Sequence, residues 1–115
     1  MNYRLDRINS EMQKSIADII RNRVKNPHIT EMVSVFRVDT AKDLKTAKVY
    51  VSIYGDPDKC DATFAALVSC AGFIRHELSV DFRDLRVVPQ LTFIRDTSEA
   101  YSEKINAILE ELKKE

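Results

Sequence analysis

Apolar residues fall at Leu5, Ile8, Met12, Ile16, Ile19 and Ile20, in steps of three and four. That stripe is the buried side of an amphipathic helix over about residues 3–25. Arg4, Arg7, Lys14, Arg21 and Arg23 occupy its other sides. Asn26-Pro27 ends it, because the residue before proline avoids helical geometry. The period then changes. Met32 to Asp39 is rich in β-branched residues and predicts a strand. After the polar connection TAKDLK, Ala47, Val49, Val51 and Ile53 alternate with Lys48, Tyr50, Ser52 and Tyr54. This is a strand with one buried face, paired with the first as a hairpin. Gly55 permits a turn, Asp56 can cap a helix, and Pro57 suits its first position. That helix runs toward Cys70 and is expected to bury Phe64, Leu67 and Val68. Beyond Gly72 the helical pattern resumes with Phe73, Ile74 and Leu78, as far as about Val80. LRVVPQLTFIR predicts a third strand from about Val87, with Pro89 at its start or on an edge. DTSE caps a last helix with the stripe Tyr101, Ile105, Ile108, Leu109 and Leu112.

The predicted order, α-β-β-α-α-β-α, is an α+β fold with two helices meeting at Gly72. A helix pair between strands, fed by an N-terminal α-β extension, is the type II KH arrangement. The expectation is a single KH-like domain over residues 1–115, a three-stranded sheet packed with helices. In an ordinary KH domain a GxxG loop joins the paired helices and clamps the nucleic-acid backbone. This chain holds only two glycines, at 55 and 72, and therefore no GxxG. Cys70-Ala71-Gly72 is too tight for a loop and reads as a helix kink. Inside an apolar helix a glycine costs roughly 1 kcal/mol relative to alanine. Two readings explain it: a kink, or close packing against a neighbouring strand. The kink reading expects a backbone angle closed to bulky residues, so Gly72→Leu is expected to cost about 1–3 kcal/mol.

Charge complicates any nucleic-acid reading. Eighteen Lys/Arg balance eighteen Asp/Glu, so the formal net charge is zero. Residues 1–57 hold ten Lys/Arg against seven Asp/Glu, whereas residues 99–115 hold three against five. The acidic excess gathers toward the C-terminus and leaves room for a basic face elsewhere. No apolar run approaches a membrane span, and the charged start lacks the apolar core of a secretion signal, so a cytoplasmic location is expected. Cys60 and Cys70 form no CxxC pair, and His28 and His76 have no ligand or triad spacing. Buried, reduced thiols are the expected state. No metal, cofactor or small-molecule substrate is expected. No carboxylate pair converges on a nucleophile, so catalysis is not expected either, and one small core predicts a monomer.

Four pieces occur in order: NPHI after the first helix, DLKTAKVYVSIYGD at 43–56, AGFIRHEL at 71–78, and LRVVPQLTFIRDTS at 85–98. In content and spacing they resemble the ribosome-binding factor A family, from the first helix to about Leu112. Members of that family replace the GxxG loop with an Ala-x-Gly kink. The resemblance implies a KH-like, non-catalytic protein that binds immature 30S subunits and contacts 16S rRNA near the decoding region. It also implies support of late maturation and 16S rRNA processing, especially in the cold, with the kinked corner of Cys70, Ala71 and Gly72 facing RNA. The chain departs from the family at two points. Cys70 stands where alanine is usual, and SEAYSEKI lacks a glycine expected near Tyr101 or Ser102.

The candidate RNA contacts form three groups, each with a plainer alternative. Arg21, Arg23 and Lys25 end the first helix, where cations also favour the helix dipole. Lys42, Lys45 and Lys48 flank the hairpin turn, where lysines also guard edge strands. Arg75 and His76 follow the glycine and are either solvated or turned toward phosphates. Together Arg21, Arg23, Lys25, Lys45, Lys48 and Arg75 are expected to make one basic face. Charge reversal at Lys45 and Arg75 is expected to weaken binding and spare stability. Tyr50 and Tyr54 share the polar side of their strand and suit either base stacking or lid packing. Two other functions stay open: a general single-strand RNA-binding KH-like module, and a protein-interaction domain using the acidic C-terminal helix.

Overall fold

The structure, a computed structural model, describes residues 3–83 and 88–96. Helix α1 spans Tyr3–Asp18 and continues as a π-helical turn, Ile19–Arg23. The N–H of Val24 closes that turn on the Ile19 carbonyl at 2.9 Å. The expected single α-helix to residue 25 is therefore shorter. Its last turn widens, and the adjacent Ile19 and Ile20 both reach the core.

Strands β1 (Met32–Thr40) and β2 (Thr46–Tyr54) pair antiparallel, and β3 (Gln90–Arg95) lies parallel to β2 at its far side. The third strand begins at Gln90, later than the expected Val87, because Pro89 has no N–H to donate to the ladder. A register shift between Val35 and Arg37 bulges β1 at Phe36. Helix α2 (Pro57–Ser69) starts as expected, with Asp56 accepting a hydrogen bond from the Asp58 N–H and Pro57 in the first turn. Helix α3 spans Ala71–Asp81. Sheet order β1-β2-β3 with the α2–α3 pair between β2 and β3 is the type II KH arrangement. The expected C-terminal helix lies outside the described residues.

Hydrophobic alternation decides which face the helices cover. Ala47, Val49 and Val51 of β2 are buried with Met12 and Ile16 of α1, Leu67 of α2, and Ile74 and Leu78 of α3. Lys48, Tyr50, Ser52 and Tyr54 point to the other side, where Tyr50 is half-buried and Tyr54 exposed. Two expected core residues are not in the core. Val68 and Phe73 are exposed, because Cys60, Thr63 and Leu67 on α2 and Ile74 and Leu78 on α3 form the inward stripes. Each stray residue sits about 100° round its helix from the buried neighbour.

Gly55 is required where it stands. Its φ is +148°, and a Cβ there would lie 1.5 Å from Glu31 Oε2. That carboxylate accepts the Asp56 N–H at 3.1 Å and ties the start of β1 to the turn before α2. The hairpin turn holds a second unusual residue, Leu44, at φ 62°.

One ion pair ties the far end of α3 to α1. Arg23 forks onto Asp81, Nη1 to Oδ1 at 2.9 Å and Nη2 to Oδ2 at 3.0 Å, while Ser15 Oγ also donates to Oδ2. The guanidinium first, and the serine second, hold the Asp81 carboxyl below its ordinary range. A carboxyl depressed in the folded state stabilises above the unfolded value, about 3.9, and stops doing so as pH falls through the folded value. Asp81→Asn should therefore melt below the parent at pH 7, and the gap should narrow steadily below about pH 4. Thermal melts across that range check it, and a gap that persists at about pH 2 would show that the pair is not its source.

Candidate nucleic-acid interface

The helix break is confined to one residue. Cys70 closes α2 by donating its N–H to Ala66 O (3.1 Å) and Leu67 O (3.0 Å). It also opens α3, because its carbonyl accepts the Ile74 N–H at 2.9 Å. Its backbone sits at φ −92°, ψ 4°, the sparsely used bridge region, and that angle turns the chain. The expected kink motif is Cys70-Ala71-Gly72 with Gly72 allowing the turn, and within it the turning residue is Cys70. Gly72 is the second residue of α3, without the left-handed angle of Gly55, and a Cβ placed on it meets nothing within 4 Å among the described residues. Neither the kink nor close packing against a strand needs a glycine there. For the same reason the fold gives no cause for Gly72→Leu to be costly, contrary to expectation.

Asn26 fixes the surroundings of the corner. Its Nδ2 donates to Cys70 Sγ at 3.6 Å, which brings the loop after Lys25 against the break. Thr63 of α2 continues the contact, its Oγ1 accepting the Glu31 N–H at 3.3 Å and donating to His28 O at 3.3 Å. The corner is thus flanked by the end of the first helix, where Arg21 and Lys25 are exposed and form no ion pair within the described residues. Arg23 differs from both. Its charge is spent on Asp81 and on Asp18, 3.0 Å away.

The expected single basic face divides in two. Asn9 Oδ1 accepts the Thr40 N–H at 2.9 Å, so the start of α1 lies beside the hairpin turn. Ile20 and Arg21, at its other end, line a cavity with Ile29, Met32 and Val33 at the start of β1. Sixteen residues of α-helix span roughly 24 Å. Lys42 and Lys45 at the turn are therefore about one helix length from Arg21 and Lys25. Lys42, Lys45 and Lys48 are exposed and without an ion pair among the described residues. Arg4 and Lys42 share a shallow pocket with Leu5, Ile8 and Leu44.

Arg75 is placed differently from both groups. Its Nε and Nη2 donate to the Val88 carbonyl at 3.2 and 3.0 Å, holding the approach to β3. Reversing its charge would release that carbonyl, so stability would not be spared as expected. His76 is exposed on α3. On the outer side of the sheet, the Arg37 guanidinium lies 5.3 Å from the Tyr50 ring centre, and Phe36 is 6.1 Å away. Sequence reasoning missed Phe36, whose position depends on the β1 bulge. Burial pushes the Cys60 thiol up, away from the reactive thiolate form. Among the described residues no cluster of His, Cys, Asp and Glu could hold a metal ion, and no helix is long and apolar enough to cross a membrane.

Comparison with known proteins agrees with this fold. The family profile described as Ribosome-binding factor A matches residues 4–109. A ribosome-binding factor A from Caldanaerobacter subterraneus is 43% identical over 100% of this chain and 93% of its own length. The crystal structure of ribosome-binding factor A from Thermus thermophilus superposes with a TM-score of 0.68 at 20% identity, covering 79% of this chain and 93% of that one. A homology model of Thermus thermophilus ribosome binding factor A, fitted into the cryo-electron-microscopy map of a 30S complex, gives a TM-score of 0.62 at 21% identity, covering 75% of this chain and 88% of that one.

Proposed function

The chain belongs to the ribosome-binding factor A family, and from that membership we propose that it binds the immature 30S subunit as an assembly factor. In this reading it contacts 16S rRNA through the α2–α3 corner and supports late subunit maturation and 16S rRNA processing, including growth in the cold. It works as a monomer in the cytoplasm, by binding and without a cofactor. A relative fitted into a 30S complex supports the choice of partner.

One observation carries the choice of surface. Of two glycines in the chain, Gly55 is demanded by its backbone angle and by Glu31, whereas Gly72 is demanded by nothing among the described residues. A glycine at a corner where the described fold asks for none points to a requirement outside it. A bare backbone at an exposed corner lets another backbone approach closely. Lys25, next to the Asn26 that touches Cys70, brings positive charge beside it for phosphates.

Sedimentation of cell extract on a sucrose gradient tests the function. The protein should travel with free small subunits and be absent from 70S ribosomes. Cosedimentation with bulk RNA would instead favour a general single-strand binder, and exclusion from all RNA fractions a protein-interaction domain. Purified 30S precursors then test the surface. Arg21→Glu with Lys25→Glu should weaken binding about ten-fold or more and flatten the logarithmic salt dependence by about one for each phosphate no longer neutralised. Lys42→Glu with Lys45→Glu, at the other end of α1, should change affinity by no more than about three-fold. The reverse ranking would move the interface to the hairpin.

A further inference from the structure

Phe73 and Val80 leave 46% and 41% of their surface in water, while Ile74 and Leu78 of the same helix are buried. Phe73, His76 and Val80 stand three, four and seven residues apart, and Gly72 lies four residues before His76, so the four fall within about 100° of one side of α3. Val68, 47% exposed, adds an apolar group just before the break. Single exposed apolar residues are ordinary, but Val68 and Phe73 on either side of the break, with Val80 two turns further along α3, mark a contact surface. Glu77, four residues after Phe73 and three before Val80, borders the stripe and is half-buried, and Asp81 is held by Arg23.

Resting on the RNA reading of the corner, we infer that the Gly72–Phe73–His76–Val80 side of α3 is a platform for an unpaired RNA base. Phe73 is the stacking ring. The nucleobase lies flat on Phe73, with Val68 sheltering its edge from water. The ribose–phosphate chain passes over the bare backbone at Gly72, and Lys25, brought to the corner by the Asn26–Cys70 contact, faces the phosphates. The chemistry favours RNA over an apolar protein ligand in two respects. Two of the side chains, Phe73 and His76, offer flat rings, and the glycine between the break and the ring has no use to a side-chain ligand. Stacking of this kind reads shape and an unstacked base rather than a hydrogen-bond code, so it tolerates different bases.

The test is a substitution series at one exposed position, with 30S precursors as the probe. Phe73→Tyr and Phe73→Trp should bind within about two-fold of the parent, because both keep a flat ring. Phe73→Leu and Phe73→Ala should each bind about ten-fold more weakly or worse, with unchanged circular dichroism and melting temperature. A leucine variant that binds like the parent would overturn base stacking and leave a plain apolar contact. In a second measurement, a benzophenone side chain at position 73 is irradiated in the complex. Adducts on 16S rRNA, mapped by reverse-transcription stops, support the platform, and adducts on a ribosomal protein overturn it. If Gly72→Leu abolishes binding while every Phe73 variant binds normally, the corner reading stands and the base platform falls. If the parent protein fails to bind 30S precursors at all, both fall.

Discussion

Gly72→Leu should leave the protein as stable as the parent, or a few tenths of a kcal/mol more stable, and cost it most of its affinity for 30S precursors. The stability half follows from geometry. Gly72 is already helical, and the space its side chain would enter is open among the described residues. Leucine forms helix better than glycine because it has less backbone freedom to lose. The binding half follows from the proposed surface. A leucine side chain standing on the corner holds an RNA backbone several ångströms from the helix. A drop of about thirty-fold, near 2 kcal/mol, is the expected scale. Gly72→Ala should fall between the two, since one methyl group blocks less. Thermal melts and titration against 30S precursors measure the two halves separately. A variant that melts well below the parent would show that the corner needs its glycine for folding. Full affinity with full stability would remove Gly72 from the interface.

Gly55→Ala should behave in the opposite way, losing about 2–4 kcal/mol of stability while its corner surface stays unchanged. Two costs combine. A φ of +148° belongs to a region open to glycine and strained for any residue with a Cβ. The new methyl group would also displace the Glu31 carboxylate, which ends at the position it must occupy. The carboxylate itself swings away cheaply. Its hydrogen bond to the Asp56 N–H does not survive the move, and the start of α2 loses its link to the loop before β1. Denaturant unfolding should show the shift in midpoint with little change in slope. Glu31→Gln, which keeps an acceptor in place, should cost much less. Equal losses in the two variants would assign the effect to the missing carboxylate charge rather than to the backbone.

These two glycines look alike in the sequence. GD at 55–56 and AGF at 71–73 both read as places where the chain must turn. Only in the first does the backbone take an angle that requires glycine, while at the second corner Cys70 carries the turn. A bridge-region angle is open to most residues, so nothing about a cysteine announces it. Arg21, Arg23 and Lys25 likewise form one run of basic residues, yet they separate on folding. The middle one meets an aspartate 58 residues later, and its charge serves the fold.

What the chain determined by itself was everything set by local period. The three-and-four spacing of Leu5 to Ile20 fixes an amphipathic helix, and the alternation from Ala47 to Ile53 fixes the buried face of the central strand. Such patterns are legible because the side-chain directions of helices and strands repeat along the chain itself. Cap and turn residues at Asn26-Pro27 and Asp56-Pro57 are equally local. Only the tertiary structure decided which apolar residues stay outside. Val68 and Phe73 continue the helical runs of their neighbours, but the break at Cys70 and the single sheet face leave room inward for Leu67, Ile74 and Leu78 instead. The division of the basic residues between the two ends of α1 was decided in the same way, by how that helix lies along β1. Distances between groups far apart in sequence depend on packing, and packing has no period to read.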